Sequence, residues 1–289
     1  MPRESQEEIT AELPAPPLPQ EHAKPKKKPT VLARTKFAAK TDLGLVRENN
    51  EDKFDFIEPE DPALLASRGS VYAVADGMGG HAAGQIAAEL ALKTFFKTYY
   101  ESPAANPKDA LTSAVAAANT VVHTTAEAVP GRSGMGCTLT AAVVLEDQLL
   151  VVHVGDSRAY LVRSGELKQL TEDHSWVAEQ VKRGAMTQEE ARLSPFRNVI
   201  TRSIGASNSI QPDVFSIPLQ SGDLVLLCTD GLSGVVSDSE ILKILSEETA
   251  PSFAAAKLID AANSAGGPDN ITVLILRIDS LEKQDDKKR

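Results

Sequence analysis

Carboxylates in this chain stand beside glycine or asparagine where apolar runs stop and start. Val71 to Ala75 runs into Asp76-Gly77, Leu149 to Val154 into Gly155-Asp156, and Leu224 to Thr229 into Asp230-Gly231. Glu51-Asp52 precede the run Lys53 to Ile57, and Asp269-Asn270 precede Ile271 to Leu276. Runs this short and this rich in Val, Ile and Leu read as strands. Any one Asp-Gly pair is an ordinary turn dipeptide. Five acidic strand ends form a pattern, because in an antiparallel sheet the start of one strand lies beside the end of its neighbour and all five can meet at one edge. Carboxylates gathered there repel one another unless cations neutralise them. The pattern therefore points to a multi-metal centre with oxygen ligands, and a glycine beside the acid leaves room for its own carbonyl to approach an ion.

Composition narrows the metal and the compartment. There are five His and two Cys, and Cys137 and Cys228 each lie inside an apolar run, so zinc spacing of thiolates and imidazoles is absent. Hard oxygen donors select Mg²⁺ or Mn²⁺, with Ca²⁺ as a further hard cation. Two separated apolar cysteines and the lack of a charged-then-apolar leader lead us to expect a reduced, cytoplasmic protein. No apolar stretch approaches the roughly 20 residues that span a bilayer, so no membrane segment is expected. A net charge of −10 argues against nucleic acid as a partner.

The same chain divides by composition into three parts. Residues 1–35 are rich in Pro, Glu, Gln and Lys, with Lys24 to Lys28 either a docking patch for an acidic partner or a solvated linker, and read as a disordered tail. Residues 36–280 read as one folded unit and 281–289 as a polar tail. Within the unit, Ala88, Leu92, Phe95, Phe96 and Tyr99 mark one face of a helix after Gly84, and Asp109 to Ala128 forms a second, Ala-rich helix. Cys137 to Leu145, Leu149 to Val154 and Ala159 to Val162 read as successive strands of a meander. Ser237-Asp238-Ser239-Glu240 is a capping box opening a helix through Leu245, and Ser252 to Ala265 is another helix. The charged segment between Asp173 and Ile204, with helical stretches at Trp176 to Arg183 and after Thr187, is either a lid or a surface insertion.

Taken in order, Thr41 to Asp52, Ala75-Asp76-Gly77-Met78-Gly79-Gly80-His81, Val154-Gly155-Asp156-Ser157-Arg158, Thr229-Asp230-Gly231-Leu232 and Gly267-Pro268-Asp269-Asn270 resemble the motifs of the PPM, or PP2C-type, metal-dependent protein serine/threonine phosphatases, in their bacterial branch. The resemblance covers the whole folded unit. It implies an α+β fold, a four-layer α-β-β-α sandwich of two antiparallel sheets flanked by helices. It also implies hydrolysis of phosphoserine and phosphothreonine in proteins, opposing a bacterial Ser/Thr kinase, by a monomer.

Roles follow from that resemblance, residue by residue. Asp76 would bridge two Mn²⁺ or Mg²⁺ ions, with the Gly77 carbonyl on one and Asp230 and Asp269 on the other, and a hydroxide between the ions would attack phosphorus. Asp156 matches the position of a third, weaker metal, or else it merely fixes its turn. Arg47, five positions before Asp52, would clamp the phosphoryl oxygens. Glu51 and Asp52 would hold metal-bound waters rather than metal. Animal relatives carry His directly after Asp-Gly as general acid; here Met78 stands there, which leaves His81 or a metal-bound water for that role. His123, His153, His174 and Thr138 read as structural.

Overall fold

The apolar runs between the acidic sites are too short for helices and too continuous for one-sided strands, which calls for sheets covered on both faces. The computed structural model describes residues 28–80 and 82–284. In chain order it contains strands β1 (Val31–Asp42) and β2 (Lys53–Ile57), helix α1 (Pro62–Arg68), strands β3 (Ser70–Ala75) and β4 (Gly77–Met78), and helices α2 (Ala82–Glu101) and α3 (Pro107–Ala128). Strands β5 (Gly136–Cys137), β6 (Leu139–Leu145), β7 (Gln148–Val154), β8 (Arg158–Arg163) and β9 (Glu166–Gln169) follow, then helices α4 (Trp176–Lys182) and α5 (Gln188–Leu193). The last third holds strands β10 (Asp213–Pro218) and β11 (Leu224–Cys228), helices α6 (Asp230–Ser233), α7 (Asp238–Glu247) and α8 (Pro251–Ser264), and strand β12 (Ile271–Lys283).

Two five-stranded antiparallel sheets result, in the orders β1-β12-β11-β8-β9 and β10-β7-β6-β3-β2. Alternation along each strand sends residues to two different cores. Tyr72 and Val74 of β3 face Leu227, Leu274 and Leu276 of the opposite sheet, while Val71, Ala73 and Ala75 pack with Leu92, Phe95 and Tyr99 of α2 and Leu111 and Val115 of α3. On the far side, Leu226, Val273 and Ile275 pack with Ile241 of α7 and Leu258 of α8. The expected α-β-β-α sandwich is the observed one. Of the expected α2 stripe, Ala88, Leu92, Phe95, Phe96 and Tyr99 are all buried.

Registers carry every acidic site to one edge. Lys53 pairs with Ala75, so Asp52 and Asp76 leave β2 and β3 side by side. Leu139 pairs with Val154, which sets Asp156 near Thr138. In the other sheet Cys228 pairs with both Val273 and Arg158, so Asp230, Asp269 and the loop carrying Asp156 converge as well. That loop crosses from β7 in one sheet to β8 in the other.

The boundaries of the unit need correction. Val31 pairs with Lys283 and Ala33 with Leu281, so residues 31–35 and 281–283, expected in the tails, belong to strands β1 and β12. Val31, Leu32 and Ala33 are apolar but follow a long polar stretch, which hid the start of edge strand β1; its positions Ala33, Phe37 and Ala39 pack against the core between the sheets. The expected tail otherwise lies outside the described residues over 1–27 and 285–289, as does most of the Lys24 to Lys28 patch. The run Cys137 to Leu145 is broken at Thr138 into β5 and β6. Between Asp173 and Ile204 both expected helices form, α4 capped by Ser175 and α5 by the Thr187–Glu190 capping box. Among the described residues no helix is long and apolar enough to cross a membrane, and Cys137 and Cys228 are buried free thiols.

A chain starting at residue 36 loses five paired positions of β1. Thermal unfolding should show it melting below a chain starting at residue 28, by about 2–4 °C for each kcal/mol lost; equal melting temperatures would put β1's first half outside the cooperative unit.

Candidate functional site

Hydroxyl and amide side chains tie together the segments that bring the acids to the shared edge. The Asp76 N–H donates to Thr138 Oγ1 at 2.9 Å, the Thr138 N–H donates to the Asp76 carbonyl at 2.9 Å, and Thr138 Oγ1 lies 2.7 Å from Ser157 Oγ. This joins the end of β3 to the loop that carries Asp156. Asp52 Oδ2 accepts from the Thr229 hydroxyl at 2.8 Å, and that hydroxyl accepts from the Thr272 N–H at 3.0 Å. One sheet is thereby tied to the other through Asp52. Asn270 donates to the carbonyls of Leu43 (3.0 Å) and Asn49 (2.9 Å) and accepts from the Glu51 N–H at 2.8 Å, so it holds both ends of the loop bearing Arg47.

The side chains then meet. Arg47 Nη2 lies 2.6 Å from Asp269 Oδ2, while Asp269 Oδ1 accepts from the Asn270 N–H at 2.8 Å. Burial works against the Arg47 charge, but its bond to Asp269 and the nearby Asp76 and Glu51 raise its pKa on balance. A methyl on Gly77 would fall 2.3 Å from the Gly84 carbonyl and 2.6 Å from that of Glu51, so only glycine admits this close approach of three backbones. The Glu51 carboxylate lies against Gly84 in the first turn of α2, where the helix end favours negative charge. His81 lies outside the described residues.

Electrostatics mark the site as short of positive charge. Burial, then Asp52, Asp230, Asp156 and Asp269, hold the Asp76 carboxyl well above the usual range. Burial raises Asp52 to about 7 against the bonds from Thr272 and Thr229, and raises Asp156 to about 8 with the help of Asp230 and Asp173. Asp230 is pushed up by burial and by Asp269. Among the described residues, Asp156 Oδ1 and Asp230 Oδ1 are buried and have no hydrogen-bond partner. An orphaned buried acceptor costs about 1–3 kcal/mol, more when charged, and both oxygens sit at the edge where the sequence pattern places cations. The donors are hard oxygens, and no thiolate or imidazole of the described residues faces them in a bond. Divalent cations of the Mg²⁺ and Mn²⁺ type fit such a set. Among the described residues no three His, Cys, Asp or Glu side chains already converge at ligand spacing on one point; Asp269 is turned to Arg47 and Asn270 instead.

Residues 41–271 match the family model described as Protein phosphatase 2C. The chain belongs to this family. It is 40% identical over 241 residues to the serine/threonine protein phosphatase PstP of Mycobacterium tuberculosis, covering 83% of this chain and 44% of that protein, so it spans less than half of that relative's length. It is 37% identical over 248 residues to the serine/threonine phosphatase stp of Listeria monocytogenes, covering 84% of this chain and 96% of that one. The solved catalytic domain of PstP in complex with two manganese ions superposes with a TM-score of 0.73 at 38% identity, covering 84% and 97% of the two chains.

Arg47, Glu51, Asp52, Asp76, Gly77, Asp156, Asp230 and Asp269 are thus gathered at one edge of this protein phosphatase 2C fold. Thr138, read from sequence as packing, instead holds the Asp76 backbone, and Thr229 and Ser157 had no role assigned. The signal for Thr229 and Ser157 was available, since each stands directly beside an acid at a strand end.

Raised carboxyl values in the folded state, against about 4 in an unfolded chain, mean that folding retains protons that unfolding releases. In EDTA, stability should therefore be greatest below about pH 4 as far as these groups contribute, and decline as pH rises to about 8 through the values for Asp52 and Asp156. Excess Mn²⁺ should remove that decline. Denaturant unfolding across pH 5–8 measures it, and identical slopes with and without Mn²⁺ would count against a cation among these carboxyls.

Proposed function

We propose that this protein hydrolyses phosphoserine and phosphothreonine esters in proteins with the help of Mn²⁺ or Mg²⁺. The observation that carries the reading is the buried set Asp76, Asp156 and Asp230, two of whose oxygens have no hydrogen-bond partner among the described residues, beside the half-exposed Arg47. Asp76 with the Gly77 carbonyl would hold one ion, Asp76 with Asp230 and Asp269 a second, and Asp156 a third. When bound, the ions supply charge neutralisation and a water acidic enough to act as nucleophile near neutral pH.

The chain's own groups do the remaining work. Arg47 is half exposed and bonded to Asp269 through Nη2 alone, so a phosphoryl group can take its other N–H donors in a charge-assisted pair. If the guanidinium swings to the phosphate, Asp269 Oδ2 is released for a cation, and substrate and metal then reinforce each other. Asp52, locked to Thr229, keeps a carboxylate fixed beside Asp76 and Asp230 for water. The P–O bond to the serine or threonine oxygen breaks in line with the attacking water, and the departing alkoxide takes up a proton. His81 is the candidate donor of that proton from the sequence, with a water held by the cations as the alternative. The substrate would come from a protein kinase acting on Ser or Thr, whose phosphorylation this hydrolysis removes as inorganic phosphate.

Release of phosphate from a phosphothreonine peptide should depend on Mn²⁺ and cease in EDTA; metal-independent release would contradict the reading. Asp230→Asn or Asp269→Asn should abolish turnover in a folded protein, as circular dichroism and the same assay would show, and near-normal activity in metal-limited buffer would remove these residues from the site. Arg47→Ala should chiefly raise KM, by the roughly ten- to hundredfold that matches a lost charge-assisted bond of about 1.5–3 kcal/mol. Unchanged KM and kcat would mean that Arg47 is no clamp.

A further inference from the structure

Behind Asp156 lies a hydrogen-bonded strut that the chemistry described above does not use. His174 is 6% exposed and stands at the root of the α4–α5 segment. It takes both polar backbone atoms of Gly155: its ring Nδ1 accepts the Gly155 N–H at 3.0 Å, and its own N–H donates to the Gly155 carbonyl at 2.7 Å. Because Nδ1 accepts, the ring hydrogen is on Nε2, which donates to Asp213 Oδ2 at 3.1 Å. The contact of Arg202 Nη1 with Nε2 at 3.0 Å is then no hydrogen bond, and Arg202 acts instead on Asp213 Oδ1, also at 3.0 Å.

Gly155 needs such a grip. Its φ is +112°, and a methyl there would fall 2.5 Å from Thr138 Cγ2, so glycine is the residue that fits and it brings no conformational preference of its own. The next residue is Asp156, with its buried, unpartnered Oδ1. A rotation of the Gly155 peptide would swing that carboxylate away from Asp76 and Asp230.

We propose that His174 is a positioning residue for the cation at Asp156, fixing the Gly155 peptide from an anchor made by Asp213 and Arg202. The proposal rests on the reading that Asp156 holds a cation. His174 is not a ligand; it acts through Gly155.

Calorimetric titration of Mn²⁺ into the whole protein, with melting temperatures in EDTA alongside, tests this. Asn at position 174 can put an amide oxygen where Nδ1 stands and so keep the Gly155 bond, whereas Gln reaches toward Asp213 and leaves the Gly155 N–H without an acceptor. His174→Asn should bind the weakest ion like the wild type. His174→Gln should weaken that ion by about tenfold or more, the size expected when a group that orients a ligand is lost, and leave the tighter ions unchanged. Wild-type binding by His174→Gln would overturn the proposal, as would equal weakening in both variants in step with their melting temperatures. If the ring variants fail to fold, Asp213→Ala at its half-exposed site gives the same readout: a weakened weakest ion is expected, and unchanged binding overturns the proposal. Asp156→Ala serves as control, and full wild-type stoichiometry there would overturn the cation assignment itself rather than the role of His174.

Discussion

Mutual repulsion among buried carboxylates is the constraint on which the rest of this structure depends. Asp52, Asp76, Asp156 and Asp230 are pressed together at the rim of two sheets, and burial with neighbouring negative charge drives each one's pKa upward. Left alone, such a cluster opposes folding near neutral pH. A fold that keeps it must either retain protons or take up cations, and the second route turns a cost in stability into a binding site.

The two-sheet sandwich makes the cluster possible. Both sheets are antiparallel, and strand ends at one rim alternate with strand starts, so β2 and β3 deliver Asp52 and Asp76 while β11 and β12 deliver Asp230 and Asp269. The crossing from β7 to β8 adds Asp156 between them. Polar bonds across the rim, Thr229 to Asp52 and Thr138 to both Asp76 and Ser157, then hold the acids at fixed spacing. Strands buried on both faces provide the stiff base, since a one-residue slip in register would drive Tyr72 or Leu227 into the wrong core. A site on such elements can be held more closely than one on mobile loops.

Much of this was legible in the residues. The acidic strand ends, the α2 stripe from Ala88 to Tyr99 and the caps at Ser237 and Thr187 each carry a local physical signal, and all appear in the structure. What was not legible depended on partners far away in sequence. Val31 to Thr35 reads as a tail until β12 supplies its hydrogen bonds, β9 is a polar edge strand, and β10 depends on pairing with β7. Thr138 reads as a small core residue until the Asp76 backbone is seen to bond to it, 62 positions away. The pairing of Arg47 with Asp269, across 222 positions, was equally invisible. Spacing reveals which residues could react; register reveals which ones touch.

That pairing also shapes how the site is expected to work. One guanidinium faces a carboxylate that the metal reading also requires, so cation and phosphate act on the same contact from its two ends. On this reading cations occupy the rim. Anomalous scattering from crystals grown with Mn²⁺ tests this: two strong peaks bounded by Asp76, Gly77, Asp230 and Asp269 and a weaker one at Asp156 are expected. Crystals saturated with Mn²⁺ that show no peak among these carboxylates would contradict it.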